Sequence, residues 1–362
     1  MRRHYLDWLR GIAVLIMIEA HTIDSWTQVA DRSRPLYAWG ILIGGFGAPM
    51  FLLLAGVALA LAAGSRIRKG LSSSEVAARA ERRGWQIFGL ALLFRLQSWV
   101  VSGGSLSQVL LKVDILNVMG PAMVAAGALW RVGRSDRARA LLLVAAMTAT
   151  AMLTPLIREW AFLGVLPDPL EWYLRPSPGR TTFTLFPWAG FLLAGAAVGL
   201  WLDRVQDPEQ ERPVALRLGL IGVGVAIAGY GASLLPPIYR ETNFWTSSPT
   251  FFFFRLGILL ALLMVAFEWN VLSRSRALPR SSFIRDFGVS SFFVYWIHVE
   301  MVYGVPSAAI HHRLTLEQWA VAWIAFTTFL FGLVRLKQRV TQVFHASPRF
   351  WSKSGVLPRE TG

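Results

Sequence analysis

A chain of 362 residues that is 54% hydrophobic, only 16% charged and has a mean hydropathy of +0.47 reads as a polytopic membrane protein. Its 36 Lys and Arg against 21 Asp and Glu give a net charge of +15, but excess arginine in a membrane protein serves first to set topology, so nucleic acid is not an expected partner. The absence of cysteine excludes thiol chemistry and disulfides.

Hydropathy and breaker residues predict an all-α bundle of ten spans, roughly 6–26, 38–63, 84–102, 113–131, 139–157, 183–203, 215–235, 250–272, 286–305 and 316–336. Basic residues gather on alternate connections: Arg2, Arg3 and Arg10; Arg66 to Arg83; Arg131 to Arg139; Arg204 to Arg217; Arg274 to Arg285; and Arg335 onward, with Arg349, Lys353 and Arg359. These segments hold 26 of the 36 basic residues, and the positive-inside rule makes them, and both termini, cytoplasmic. The start is basic like a signal peptide, yet charges interrupt the apolar run and no small-residue cleavage site follows, so a retained first helix is expected. The expected organisation is one helical membrane domain over 1–340 and a basic cytoplasmic tail over 341–362.

The first span carries Asp7, Arg10, Glu19, His21 and Asp24, and ionisable groups in hydrocarbon are costly enough to read as functional. Asp7, Arg10, Val14, Met17, His21 and Asp24 share one face within roughly a 100° arc, with Glu19 pointing away. At 1.5 Å per residue, Arg10 and His21 stand about 16 Å apart, one toward each membrane surface. Asp7 can pair with Arg10, and Asp24 can accept a proton from the His21 ring, which is half of a general-base arrangement.

Spans three and eight carry Arg95 and Arg255 in their outer halves. Span four opens with Asp114 and Asn117 at i,i+3. In span nine, Ser291, Tyr295, His298 and Val302 share a face opposite Glu300. Glu19, His21, Asp24, Arg95, Asp114, Arg255, His298 and Glu300 therefore map to one depth although they come from five helices. The competing reading is that pairs such as Arg95 with Glu19, or Arg255 with Glu300, lock the bundle.

Small residues at Gly195 and Gly199, and at Gly56 and Ala60, permit close helix approach. Aromatic residues of the outer loops, Trp160, Trp172, Tyr173 and Trp245 among them, suit either a sugar pocket or the interfacial belt. The basic run from Arg66 to Arg83 suits phosphates or anionic lipid. No metal site is expected, because the adjacent His311 and His312 lack a carboxylate partner at helical spacing.

YLDWLRGIAVLIMIEAH resembles the first-helix signature of the type-three acyltransferases, LD-x-LRG-x-A with a His eleven residues after the Arg, here Arg10 and His21. PMFLLLAGVALAL at 49–61, KVDILNVMGPAM at 112–123, LFPWAGFLLAGAAVG at 185–199 and FFVYWIHVEMVYG at 292–304 are closer to the sister branch related to heparan-α-glucosaminide N-acetyltransferase. The resemblance implies a bundle of about ten helices in the lipid bilayer, in the bacterial inner membrane, that carries an acyl group from cytoplasmic acyl-CoA, chiefly acetyl-CoA, to an extracytoplasmic glycan or glycolipid. It implies His21 as catalytic histidine; oriented by Asp24, His21 would act as base or transiently carry the acyl group, with Arg95 or Arg255 as oxyanion donors and His298 and Glu300 positioning the acceptor or sharing the proton. Arg10, Arg68, Lys69, Arg82 and Arg83 would hold the CoA phosphates, and Glu19, Asp114, Asn117 and Tyr295 would bind the acceptor. The sister branch often has Asn at the position of His21 and takes its histidine from the following loop; this chain has no histidine between His21 and His298. Two other classes fit the same charges: a proton-coupled transporter using the Glu/His/Arg cluster, and a silent relative that binds lipid or a partner.

Overall fold

The computed structural model describes residues 3–103, 105–275 and 283–346. Arg2, Arg276, Arg280, Arg349, Lys353, Arg359 and the tail beyond 346 lie outside the described residues. The chain is all-helical: α1 (His4–Trp26), α2 (Pro35–Gly44), α3 (Gly47–Arg68), α4 (Ser73–Ser102), α5 (Leu106–Leu110), α6 (Ile115–Val132), α7 (Asp136–Glu159), α8 (Asp168–Leu174), α9 (Leu185–Asp203), α10 (Pro208–Ser233), α11 (Pro249–Ser275), α12 (Phe283–Val289), α13 (Ser291–Tyr303) and α14 (Leu316–Ala346).

Among the described residues seven segments are long and apolar enough to cross a membrane: 35–68, 115–132, 136–159, 185–203, 210–233, 249–273 and 316–343. Where the sequence suggests further spans at 6–26, 84–102 and 286–305, the chain is helical, but those helices carry ionisable groups. The span expected at 286–305 is two helices, broken at Ser290, and the one at 38–63 is interrupted at Gly45 and Phe46.

α1 lies at the centre, packed against α2, α3, α11, α12, α13 and α14. Its contact with α12 is backbone to backbone: a Cβ on Gly11 would overlap the Ile284 carbonyl, and one on Gly288 the Asp7 carbonyl. The two small-residue pairs read from sequence are the two sides of one interface, α3 on α9, where Gly56 lies on the Leu192 carbonyl and Gly195 on that of Leu53. Such approach replaces the missing hydrophobic drive between helices in lipid with close van der Waals packing. At the N-terminal end of α1, Glu211 of α10 is buried and accepts from Arg3 Nε at 2.6 Å and Tyr5 Oη at 2.6 Å. Arg3, expected only to mark topology, thus also ties α1 to α10.

Candidate active site

A cavity of about 1280 Å³ runs between α1, α3, α4, α6 and α13. α1 supplies Arg10, Met17, Ala20, His21 and Asp24; of the face read from its 3,4 spacing, Asp7 and Val14 do not line the cavity. α3 supplies Ala48, Phe51, Ala55, Ala58, Ala62 and Arg66, and α4 supplies Val76, Arg79, Ala80, Arg83, Gln86 and Ile87, each set at helical period. The wall is therefore basic where Arg10, Arg66, Arg79, Arg82 and Arg83 gather. It is apolar and small along α3. It becomes polar again at His21, Asp24, Arg95, Lys112, Asp114, Arg180, Glu300 and Tyr303.

At that second polar region His21 Nδ1 lies 3.0 Å from His298 Nε2, with the ring planes 8° apart. His298 Nδ1 lies 2.8 Å from the Val294 carbonyl oxygen, which can only accept. His298 therefore donates from Nδ1 and presents the Nε2 lone pair, so the neutral His21 ring donates from Nδ1 and keeps its own lone pair on Nε2. His298 is fully buried and does not line the cavity, whereas His21 does. Aromatic neighbours hold the pair: Tyr303 edge-on to His21 at 5.4 Å, and Tyr295 edge-on to His298 at 5.9 Å. The Trp296 indole donates to Gln97 Oε1 at 2.7 Å and fixes α13 to α4.

The expected partner of the His21 ring was Asp24. The structure gives that place to His298, and the Asp24 carboxylate instead accepts from Tyr303 Oη at 3.4 Å. The reason is geometric: α13 runs beside α1 here, with Ser25 Oγ donating to the Val302 carbonyl, and this brings His298 to the Nδ1 side of the ring.

Other expected residues divide in the same way. Arg95 lines the cavity in an ion pair with Asp114 at 2.7 Å, its Nε buried and without an acceptor. Glu300 lines it, hydrogen-bonded to Ser98, with one carboxylate oxygen buried and unpartnered. Tyr295 lines it among the charges of Asp114, Arg95 and Glu300. Arg255 does not line it; its guanidinium lies over Phe251 at 4.0 Å and Trp188 at 5.9 Å. Glu19 does not line it either, being packed on α2 where Gly40 leaves room, so a Cβ there would stand 2.6 Å from Glu19 Oε1. Asn117 is spent on structure: with Asp114 it forms the capping box of α6, and its amide donates to Tyr173 Oη at 3.2 Å.

At the basic end Arg10, Arg82 and Arg83 line the cavity, Arg10 paired with Asp7 at 3.2 Å. Arg68 and Lys69 do not; Arg68 binds Asp203 at 2.6 and 2.9 Å and ties α3 to α9. Arg66 and Arg79 take their place. Sequence reasoning also missed Ser98, Lys112, Arg180 and Tyr303. The helical period from Arg79 through Arg83 to Gln86 could have shown the α4 face, and Lys112 opens the KVDILNVMGPAM stretch, but no local signal sets Lys112 beside Arg180.

The described residues form an α-helical membrane protein whose internal chamber is basic at one end and holds a paired imidazole in its other polar region. Residues 2–224 match the family described as heparan-alpha-glucosaminide N-acetyltransferase, catalytic, and the chain belongs to that family. Membership indicates an acetyltransferase, and the apolar helices make it an integral membrane protein. No curated protein matches the chain. His298 lies beyond the matched segment, so half of the imidazole pair comes from the part of the chain outside it.

Proposed function

We propose that the protein transfers an acetyl group from cytoplasmic acetyl-CoA to an amine or hydroxyl of an extracytoplasmic glycan or glycolipid, in the bacterial inner membrane. The observation that carries this reading is that one cavity is lined by Arg66, Arg79, Arg82 and Arg83 and also by His21. Those guanidinium groups suit the phosphates of a nucleotide donor through charge-assisted hydrogen bonds. The narrow apolar wall of Ala55, Ala58 and Ala62 suits an extended thioester arm, which has to cover about 16 Å to reach the imidazole. A ten-helix arrangement with both termini inside puts the basic end at the cytoplasm, in keeping with the charge asymmetry.

In this mechanism His21 Nε2 takes the proton of the acceptor amine or hydroxyl as that atom attacks the thioester carbonyl. His298 holds the His21 ring in the tautomer that leaves Nε2 bare and steadies it when it becomes an imidazolium. Arg95, through its uncommitted Nε–H, donates to the oxyanion of the tetrahedral intermediate, an interaction that is strong in a site shielded from water. As the C–S bond breaks, His21 returns its proton to the departing thiolate. Glu300 and Tyr295 position the acceptor, and Tyr303 and Asp24 close the chamber beside His21.

The test is free CoA release from acetyl-CoA by the purified protein, with and without envelope glycans. Release that rises with acceptor and disappears in His21→Ala is expected. Acceptor-dependent release that survives in that variant overturns the mechanism. Proton flux without CoA release would instead support the transporter.

A further inference from the structure

Lys112 and Arg180 line the chamber and are assigned no part in the transfer step. They come from two connecting segments joined by a parallel β-bridge between Val113 and Thr181, in which Val113 N donates to the Arg180 carbonyl at 2.9 Å and Thr182 N to the Val113 carbonyl at 2.9 Å. Neighbouring chains in such a bridge lie about 4.8 Å apart, and side chains alternate along each chain. Lys112 and Arg180 are therefore register neighbours that leave the bridge on the same side, opposite the buried Val113. A turn with Gly179 at φ +72° delivers Arg180, whose guanidinium lies 5.5 Å over the Trp172 ring.

Lys112 and Arg180 each bring a cation to this wall. Among the described residues neither is in an ion pair, since the nearby Asp114 is already engaged by Arg95 at 2.7 Å. Burial first, and then Arg95, depress the Lys112 ammonium below the ordinary lysine range, with Asp114 acting the other way. The backbone thus fixes two cations at the chamber wall, Lys112 with Arg95 and Asp114 as its charged neighbours.

We propose that Lys112 and Arg180 form a clamp for an anionic group, a phosphate or carboxylate, carried by the acceptor. The clamp rests on the acetyl-transfer reading for the word acceptor, and it adds the acceptor's chemical class: a charged sugar derivative rather than a neutral one. In the chamber the anion faces Lys112 and Arg180, while the reacting amine or hydroxyl faces His21 and Glu300. Trp172 supplies the stacking surface that keeps the Arg180 plane in place.

The experiment reads binding, so that it stands apart from turnover. Calorimetric titration of the purified full-length protein compares glucosamine with glucosamine 6-phosphate, and then acetyl-CoA, in wild type, Lys112→Gln, Arg180→Gln and Lys112→Arg. Wild type is expected to bind the phosphorylated sugar at least about tenfold more tightly than the neutral one, the effect of one charge-assisted contact. That preference should fall to near unity in both Gln variants and persist in Lys112→Arg, with acetyl-CoA affinity unaltered in all. Equal binding of the two sugars by wild type overturns the proposal. So does a loss of acetyl-CoA affinity in the Gln variants, which would give the cations to the donor phosphates. Competition between phosphatidylglycerol nanodiscs and the sugar phosphate, lost in Lys112→Gln, would give them to lipid headgroups and overturn it as well.

Discussion

Replacing His298 by leucine removes the acceptor of the His21 Nδ1–H without opening the chamber, because His298 is fully buried behind the His21 ring. A buried donor left unpaired costs about 1–3 kcal/mol. If that cost falls on the reactive orientation of His21, kcat should drop about 5- to 150-fold, at 1.4 kcal/mol per factor of ten. His298→Gln keeps an acceptor oxygen near the place of Nε2 and should recover much of the loss, while His21→Ala should lose about 10²–10⁴-fold as a general base does. The assay is release of CoA thiol, read with a thiol-reactive chromophore, and the protein contributes no background because it has no cysteine. Wild-type kcat in His298→Leu, with His21→Ala inactive, would refute the orienting role. Equal losses in the Leu and Gln variants would reduce His298 to packing.

Arg82→Gln or Arg83→Gln should raise the KM for acetyl-CoA by about 5- to 10-fold with kcat nearly unaltered, each removing one charge-assisted phosphate contact. Arg68→Gln should leave that KM unchanged, since its partner is Asp203 outside the cavity. Ala58→Phe places a ring in the apolar stretch of the cavity and should abolish CoA release in a protein whose unfolding temperature stays near wild type. Gly56→Leu forces α3 from α9 and should destabilise by at least about 1–3 kcal/mol, seen as a lower unfolding temperature. Glu211→Ala strands the buried Arg3 and should cost about 3–5 kcal/mol by the same measurement.

What the sequence told and what it withheld follow from one physical distinction. Position along a helix and the face of a helix are local properties, so Asp7, Arg10, Val14, Met17, His21 and Asp24 could be placed on one face by spacing alone; Arg10, Met17, His21 and Asp24 line the cavity, whereas Asp7 and Val14 do not. Rotation of a helix against its neighbours is set by packing. Glu19 and Arg255 have the right depth, yet Gly40 accommodates one and Phe251 and Trp188 hold the other, away from the chamber. The i,i+3 spacing of Asp114 and Asn117 was read as chemistry, although Asp with Asn three residues on is also a helix-start signature, and that is how Asn117 is used. The His21 and His298 pair lies 277 residues apart in the chain and could be matched in depth but not in partnership. Lys112 and Arg180 meet only through a two-residue bridge that no hydropathy pattern announces.

The central claim, that one chamber carries an acetyl group from a basic inner mouth to His21 and an outer acceptor, is tested most directly by vectorial transfer. Sealed proteoliposomes receive labelled acetyl-CoA on the side of Arg82 and Arg83, with an amino-sugar acceptor confined to the other side. Label on the confined acceptor is expected in wild type and none in His21→Ala. Label that appears only when donor and acceptor share a side, or equally in His21→Ala, would contradict it.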